Sequence, residues 1–91
     1  MTLQELFNDD PSKWTQGKLA RDRKGVGCNP ASPNAVQWCL LGALNKCYDD
    51  GEYTTIFWNK VWLDIGNPVL WNDDPKRTFQ DVKDLIAELD I

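Results

Sequence analysis

Five tryptophans in a chain of 91 residues constrain the fold more than any other feature of the sequence. Each such ring removes about 150–250 Å² from water when buried, whereas a chain of this length hides only about 60–65% of its surface on folding. With three Phe and two Tyr beside them, the rings must form much of one small core, and five Trp exceed what that core needs. One compact domain over residues 1–91 follows. Histidine is absent, which removes the commonest general base, the commonest zinc ligand and the usual pH switch together.

Turn residues cut the chain into short pieces. Leu3, Leu6 and Phe7 predict a helix within Thr2 to Asn8, and Asp10 before Pro11 caps a helical turn that carries Trp14. Lys18 to Arg23 alternates as a short strand closed by Lys24-Gly25, and Gly27 to Asn34 is a loop. Ala35 to Tyr48 admits two readings. Either Val36 to Trp38 is a strand pairing with Leu19 to Arg23 and a buried helix begins at Leu40, or Ser32-Pro33 caps one continuous helix. The first is preferred. Gly42 inside that helix costs about 1 kcal/mol relative to Ala, so it implies a neighbour too close for a Cβ.

Tyr53 to Ile65 forms an amphipathic helix stopped by Gly66-Asn67-Pro68, with Trp58 and Trp62 four residues apart on one side of it. Val69 to Trp71 reads as extended, and Asn72-Asp73-Asp74-Pro75 as a turn. Thr78 and Asp81 suit a capping box before the stripe Phe79, Val82, Leu85, Ile86 and Leu89, whose natural partner is the Ala35 to Tyr48 helix. The expected fold is α+β, with three or four helices packed around a short antiparallel β-hairpin.

Ten Lys and Arg against fourteen Asp and Glu leave a net charge of −4, which argues against direct nucleic-acid binding. The balance is uneven. Lys13 to Lys24 is net +4, so the remainder carries −8, a local basic strip on an acidic body. Cys28, Cys39 and Cys47 form no CxxC pair and no metal is expected. No apolar run approaches the ~20 residues of a membrane span, Met1 to Asp10 lacks a signal pattern, and unpaired cysteines fit a reducing cytoplasm.

Three groups of residues invite a chemical role. Trp71, Asn72, Asp73 and Arg77, joined by Trp14, Arg21 and Asp22 if the hairpin packs alongside, would suit a small nucleotide-like anion; the same residues also serve as core, turn and cap. Cys39 could act as a nucleophile only with help from a helix N-terminus or Arg21. The adjacent carboxylates Asp9-Asp10, Asp49-Asp50 and Asp73-Asp74 diverge on turns and make neither an acid–base couple nor a metal cage. Trp58 and Trp62 are the surplus: they form a partner surface, or else lie buried under the Val26 to Asn34 loop.

The blocks Trp38-Cys39-Leu40-Leu41-Gly42-Ala43-Leu44, Trp71-Asn72-Asp73, Arg77-Thr78 and Asp81-Val82, with Trp14-Thr15-Gln16-Gly17, Ala20-Arg21-Asp22 and Gly25 upstream, resemble a family of small uncharacterised proteins of bacteria and their phages. The resemblance runs from Trp14 to Leu89 and names no activity. The Val26 to Asn34 loop and the Tyr53 to Ile65 segment depart from the pattern. The resemblance implies a phage- or mobile-element-associated protein. Together with the missing catalytic machinery, it leads us to expect a non-enzymatic binding protein without cofactor, acting in the host cytoplasm by docking on and inhibiting a host protein such as a defence component. A small anionic ligand at the Trp-Asn-Asp turn is the alternative.

Overall fold

Capping decides where nearly every element of this chain begins. The computed structural model describes residues 1–48 and 52–91, with side chains for 1–48 and 57–91. Helix α1 (Leu3–Phe7) starts with a capping box: Thr2 Oγ1 accepts from the Glu5 amide at 3.1 Å, and Glu5 Oε1 accepts from the Thr2 amide at 3.1 Å. A 3-10 turn at Pro11–Lys13 is opened by Asp10, whose Oδ1 takes the Ser12 N–H at 2.9 Å, as the Asp-Pro pair predicts. Strands β1 (Ala20–Arg21) and β2 (Gln37–Trp38) pair antiparallel, with Ala20 opposite Trp38 and Arg21 opposite Gln37. Helix α2 (Leu40–Cys47) follows at once. The strand-then-helix reading therefore holds, with strands shorter than the alternation suggested.

Helices α3 (Glu52–Ile65), α4 (Pro68–Asn72) and α5 (Phe79–Leu89) complete the chain. Val69 to Trp71 is helical rather than extended, because Asn67 Oδ1 accepts from the Val69 and Leu70 amides and Pro68 supplies a helical φ at the first position. Asn72 accordingly ends a helix instead of shaping a turn. The fold is α+β, with five α-helices among the described residues around a two-stranded antiparallel hairpin. No helix of the described residues is long and apolar enough to cross a membrane.

Helix α2 lies at the centre, touching α1, α3, α4 and β2. Its Leu40, Ala43 and Leu44 are buried with Leu3, Leu6 and Phe7 of α1 and Val82, Leu85, Ile86 and Leu89 of α5. The expected capping box is present in α5, but the helix packs principally on α1 rather than on α2. Phe79 meets Phe7 edge-on at 5.9 Å, and Lys83 pairs with Asp9 across the same seam. Gly42 has the close neighbour its position implies: a Cβ there would lie 1.9 Å from the Leu19 carbonyl oxygen. That carbonyl also accepts the Cys39 N–H at 3.1 Å, so the chain entering β1 crosses directly over the start of α2.

Candidate functional site

The short helix α4 carries Asn72 into the interior, where it is fully buried. Its Oδ1 accepts from Trp14 Nε1 at 2.7 Å and from the Leu40 amide at 3.0 Å. Its Nδ2 donates to the Thr15 carbonyl at 3.1 Å and to Asp73 Oδ1 at 3.0 Å. An amide side chain has two donors and can accept twice, so this one is saturated. Three distant stretches meet there: the segment after the 3-10 turn, the first residue of α2 and the end of α4. Gln16 reinforces the junction by donating to the carbonyls of Asn72 and Asp74 at 2.8 and 2.9 Å. Asp73 Oδ1 also accepts the Gly17 N–H at 3.0 Å.

Of the seven residues assigned to an anion site, the fold brings Trp14, Asn72 and Asp73 into direct contact. Arg21 joins at one remove, donating to Thr15 Oγ1, the Gly25 carbonyl and the Gln16 carbonyl at 2.8, 2.9 and 3.0 Å. Arg77 stacks on the half-buried Trp71 ring, its guanidinium carbon 3.9 Å from the centroid, and donates to the Trp71 carbonyl at 2.8 Å. Asp22 stands apart. Its Oδ1 accepts the amides of Lys24 and Val26 and so closes its own turn. The cluster is thus built and polar, but its donors are engaged with carbonyl and carboxylate oxygens of the chain itself.

The start of α2 is likewise occupied. Cys39 Sγ accepts the Gly42 N–H at 3.3 Å while Asn72 takes the Leu40 N–H, so the first-turn donors point at protein atoms. Burial pushes the Cys39 thiol up from its ordinary pKa, outweighing those N–H groups, which favour the thiolate. Cys39 therefore sits as a protonated, buried cap. Asp9 turns to Lys83, Asp10 to Ser12, Asp73 to Gly17 and Asp74 to the Lys76 amide, so these neighbouring carboxylates diverge. Asp49 and Asp50 lie outside the described residues. Among the described residues no group of acids and cysteines could hold a metal ion.

The surplus tryptophans behave differently. Trp58 and Trp62 stack on one another, centroids 6.4 Å apart and planes 17° from parallel. Trp62 is 45% exposed, and Leu63 of α3 and Leu70 of α4 are 89% and 72% exposed. The loop that would shelter them in the buried alternative instead lies over Trp38, whose Nε1 donates to the Pro30 carbonyl at 3.0 Å. Leu63 and Leu70 were not anticipated. Leu63 is two positions from buried Val61, about 200° around the helix, so its outward direction was open to inspection. Leu70 was hidden by the extended reading of its segment.

The fold and these contacts define a small α+β protein knit around a buried asparagine, with several large apolar side chains turned outward on two adjoining helices. The chain belongs to DUF6197, a family of unknown function whose model matches residues 9–89. That stretch holds every block on which the family resemblance rested. No curated protein and no solved structure matches the chain.

Proposed function

We propose that this protein is a binding module that docks through α3 and α4 onto a protein of its host cell, and modulates or inhibits that protein without chemistry of its own. The exposure of Trp62, Leu63 and Leu70 on two helices that pack together carries the reading. Leaving such side chains in water forgoes about 1.5–3 kcal/mol each, and tryptophan is the residue most enriched where protein interfaces concentrate their energy. Residues 52–91 hold eight acids against four bases. A partner with an apolar cleft and a basic rim complements that half of the molecule in both respects. The resemblance to phage proteins supports a host target, a host defence component included, in the cytoplasm.

A small-anion site at the Trp-Asn-Asp turn has less support. Arg21 and Arg77 would have to leave three carbonyls and stacked or ion-paired partners to meet a ligand, and Asp22, which lines two hollows, is the member that stands apart from the cluster.

The test compares wild type with a Trp62→Ser/Leu63→Ser/Leu70→Ser variant in pull-downs from host lysate, followed by titration of the purified partner. Wild type should retain one protein at fixed stoichiometry, and the variant, with unchanged circular dichroism and melting temperature, should bind it at least about tenfold more weakly. Equal capture by both proteins overturns the proposal. So does sedimentation showing that the surface is buried in a homodimer.

A further inference from the structure

We propose that a second face, formed by the turn after β1 together with Lys13, is a docking surface for an acidic, partly apolar segment of a protein partner. The cations elsewhere are largely engaged: Arg21 and Arg77 as described, Lys83 with Asp9, and Lys60 with the Leu89 carbonyl at 2.7 Å. Lys13, Lys18, Arg23 and Lys24 make no side-chain hydrogen bond or ion pair among the described residues, in a chain that has acids to spare. Two hollows of about 440 and 450 Å³ adjoin along Asp22, Arg23 and Val36, with Lys13 on the wall of the first and Lys24 on that of the second. Asp10 and Asp22 border the first, yet each spends an oxygen on its own turn: Asp10 Oδ1 on the amide and hydroxyl of Ser12, Asp22 Oδ1 on the amides of Lys24 and Val26. Val26, 58% exposed, closes the same turn, and the half-buried Val36 lies on the walls of both hollows.

Charge and shape together choose the occupant. Cations beside exposed aliphatic side chains complement carboxylates interspersed with apolar residues. A nucleic acid fits less well. The residues lining the two hollows include no aromatic ring on which bases could stack. This face is independent of α3 and α4, so the two readings can fail separately.

The probe is a short fluorescein-labelled peptide of Glu, Asp and Leu, set beside its Gln/Asn/Leu counterpart and a labelled single-stranded oligonucleotide, with anisotropy as the readout. The acidic peptide should bind, should weaken as salt is raised, and should bind the Arg23→Glu/Lys24→Glu variant at least about tenfold more weakly. A Lys76→Glu control and the Trp62/Leu63/Leu70 triple variant should match wild type. The proposal is overturned by equal binding of the acidic and neutral peptides, by tighter binding of the oligonucleotide, by absence of peptide binding, or by indifference to the charge reversal in a variant that melts normally.

Discussion

Asn72 concentrates in one side chain the polar contacts that hold three parts of the chain together. Removing it in Asn72→Ala leaves Trp14 Nε1, the Leu40 amide and the Thr15 carbonyl without partners, the Leu40 amide at a fully buried position and the other two half-buried. A buried group deprived of its partner costs about 1–3 kcal/mol. We expect a loss of about 3 kcal/mol in urea unfolding, and Asn72→Asp should fare no better, because a carboxylate cannot donate to Thr15 and is costly to bury. A loss below about 1 kcal/mol for both variants would show that the junction is not what holds these segments. The role was hard to read because Asn-Asp-Asp-Pro is strong turn chemistry in isolation. What redirects it is Asn67-Pro68, five residues earlier, which starts a helix and swings Asn72 inward.

Among the elements, the crossing of β1's approach over α2 sets the tightest tolerance. By helix propensity alone Gly42→Ala would gain about 1 kcal/mol. The new methyl would instead stand 1.9 Å from a backbone oxygen that is itself held by the Cys39 amide, and overpacking of this kind typically costs about 1–3 kcal/mol, sometimes more. We expect Gly42→Ala to be net destabilising by about 2 kcal/mol in thermal unfolding; a rise in melting temperature would mean the crossing can relax. This contact was legible from a lone glycine in an apolar helical stretch, and α5 was equally legible from its cap and stripe. The partner of α5 was not. Periodicity tells which face of a helix is buried but not against what, and α1, only five residues long, gave little sign that it would supply the opposing Leu3 and Phe7. Short strands were also over-read, since alternation over Lys18 to Arg23 continues past the two residues that pair.

At the scale of the whole molecule, three groups that titrate on the alkaline side share one direction. Burial raises the pKa of Cys39, of Tyr48 and of Cys47, the last from 9.0 to about 11. The folded chain thus holds protons that the unfolded chain releases first. That contribution is complete below pH 9.0 and is lost as pH climbs toward about 11 for Cys47. Because that thiol keeps some contact with water, its share is on the order of 1 kcal/mol rather than the full value of the shift. Urea midpoints should therefore fall between neutral pH and about pH 10, and less steeply in Cys47→Ala; an unchanged midpoint in wild type would refute the linkage. The distribution of the tryptophans also becomes intelligible at this scale. Trp14, Trp38 and Trp71 pack in or against the core, while Trp58 and Trp62 stack together on a helix that leaves Trp62 and Leu63 exposed. Composition announced a surplus of rings, and only the route of the Gly27 to Asn34 loop decided which of them it would shelter.

The Leu3 amide donates to the Ile91 carbonyl at 2.8 Å, and the Ile91 side chain is buried in the core. Leu3 and Ile91 are thereby clasped to one another, so pulling them apart breaks a backbone hydrogen bond and uncovers a core side chain in the same event.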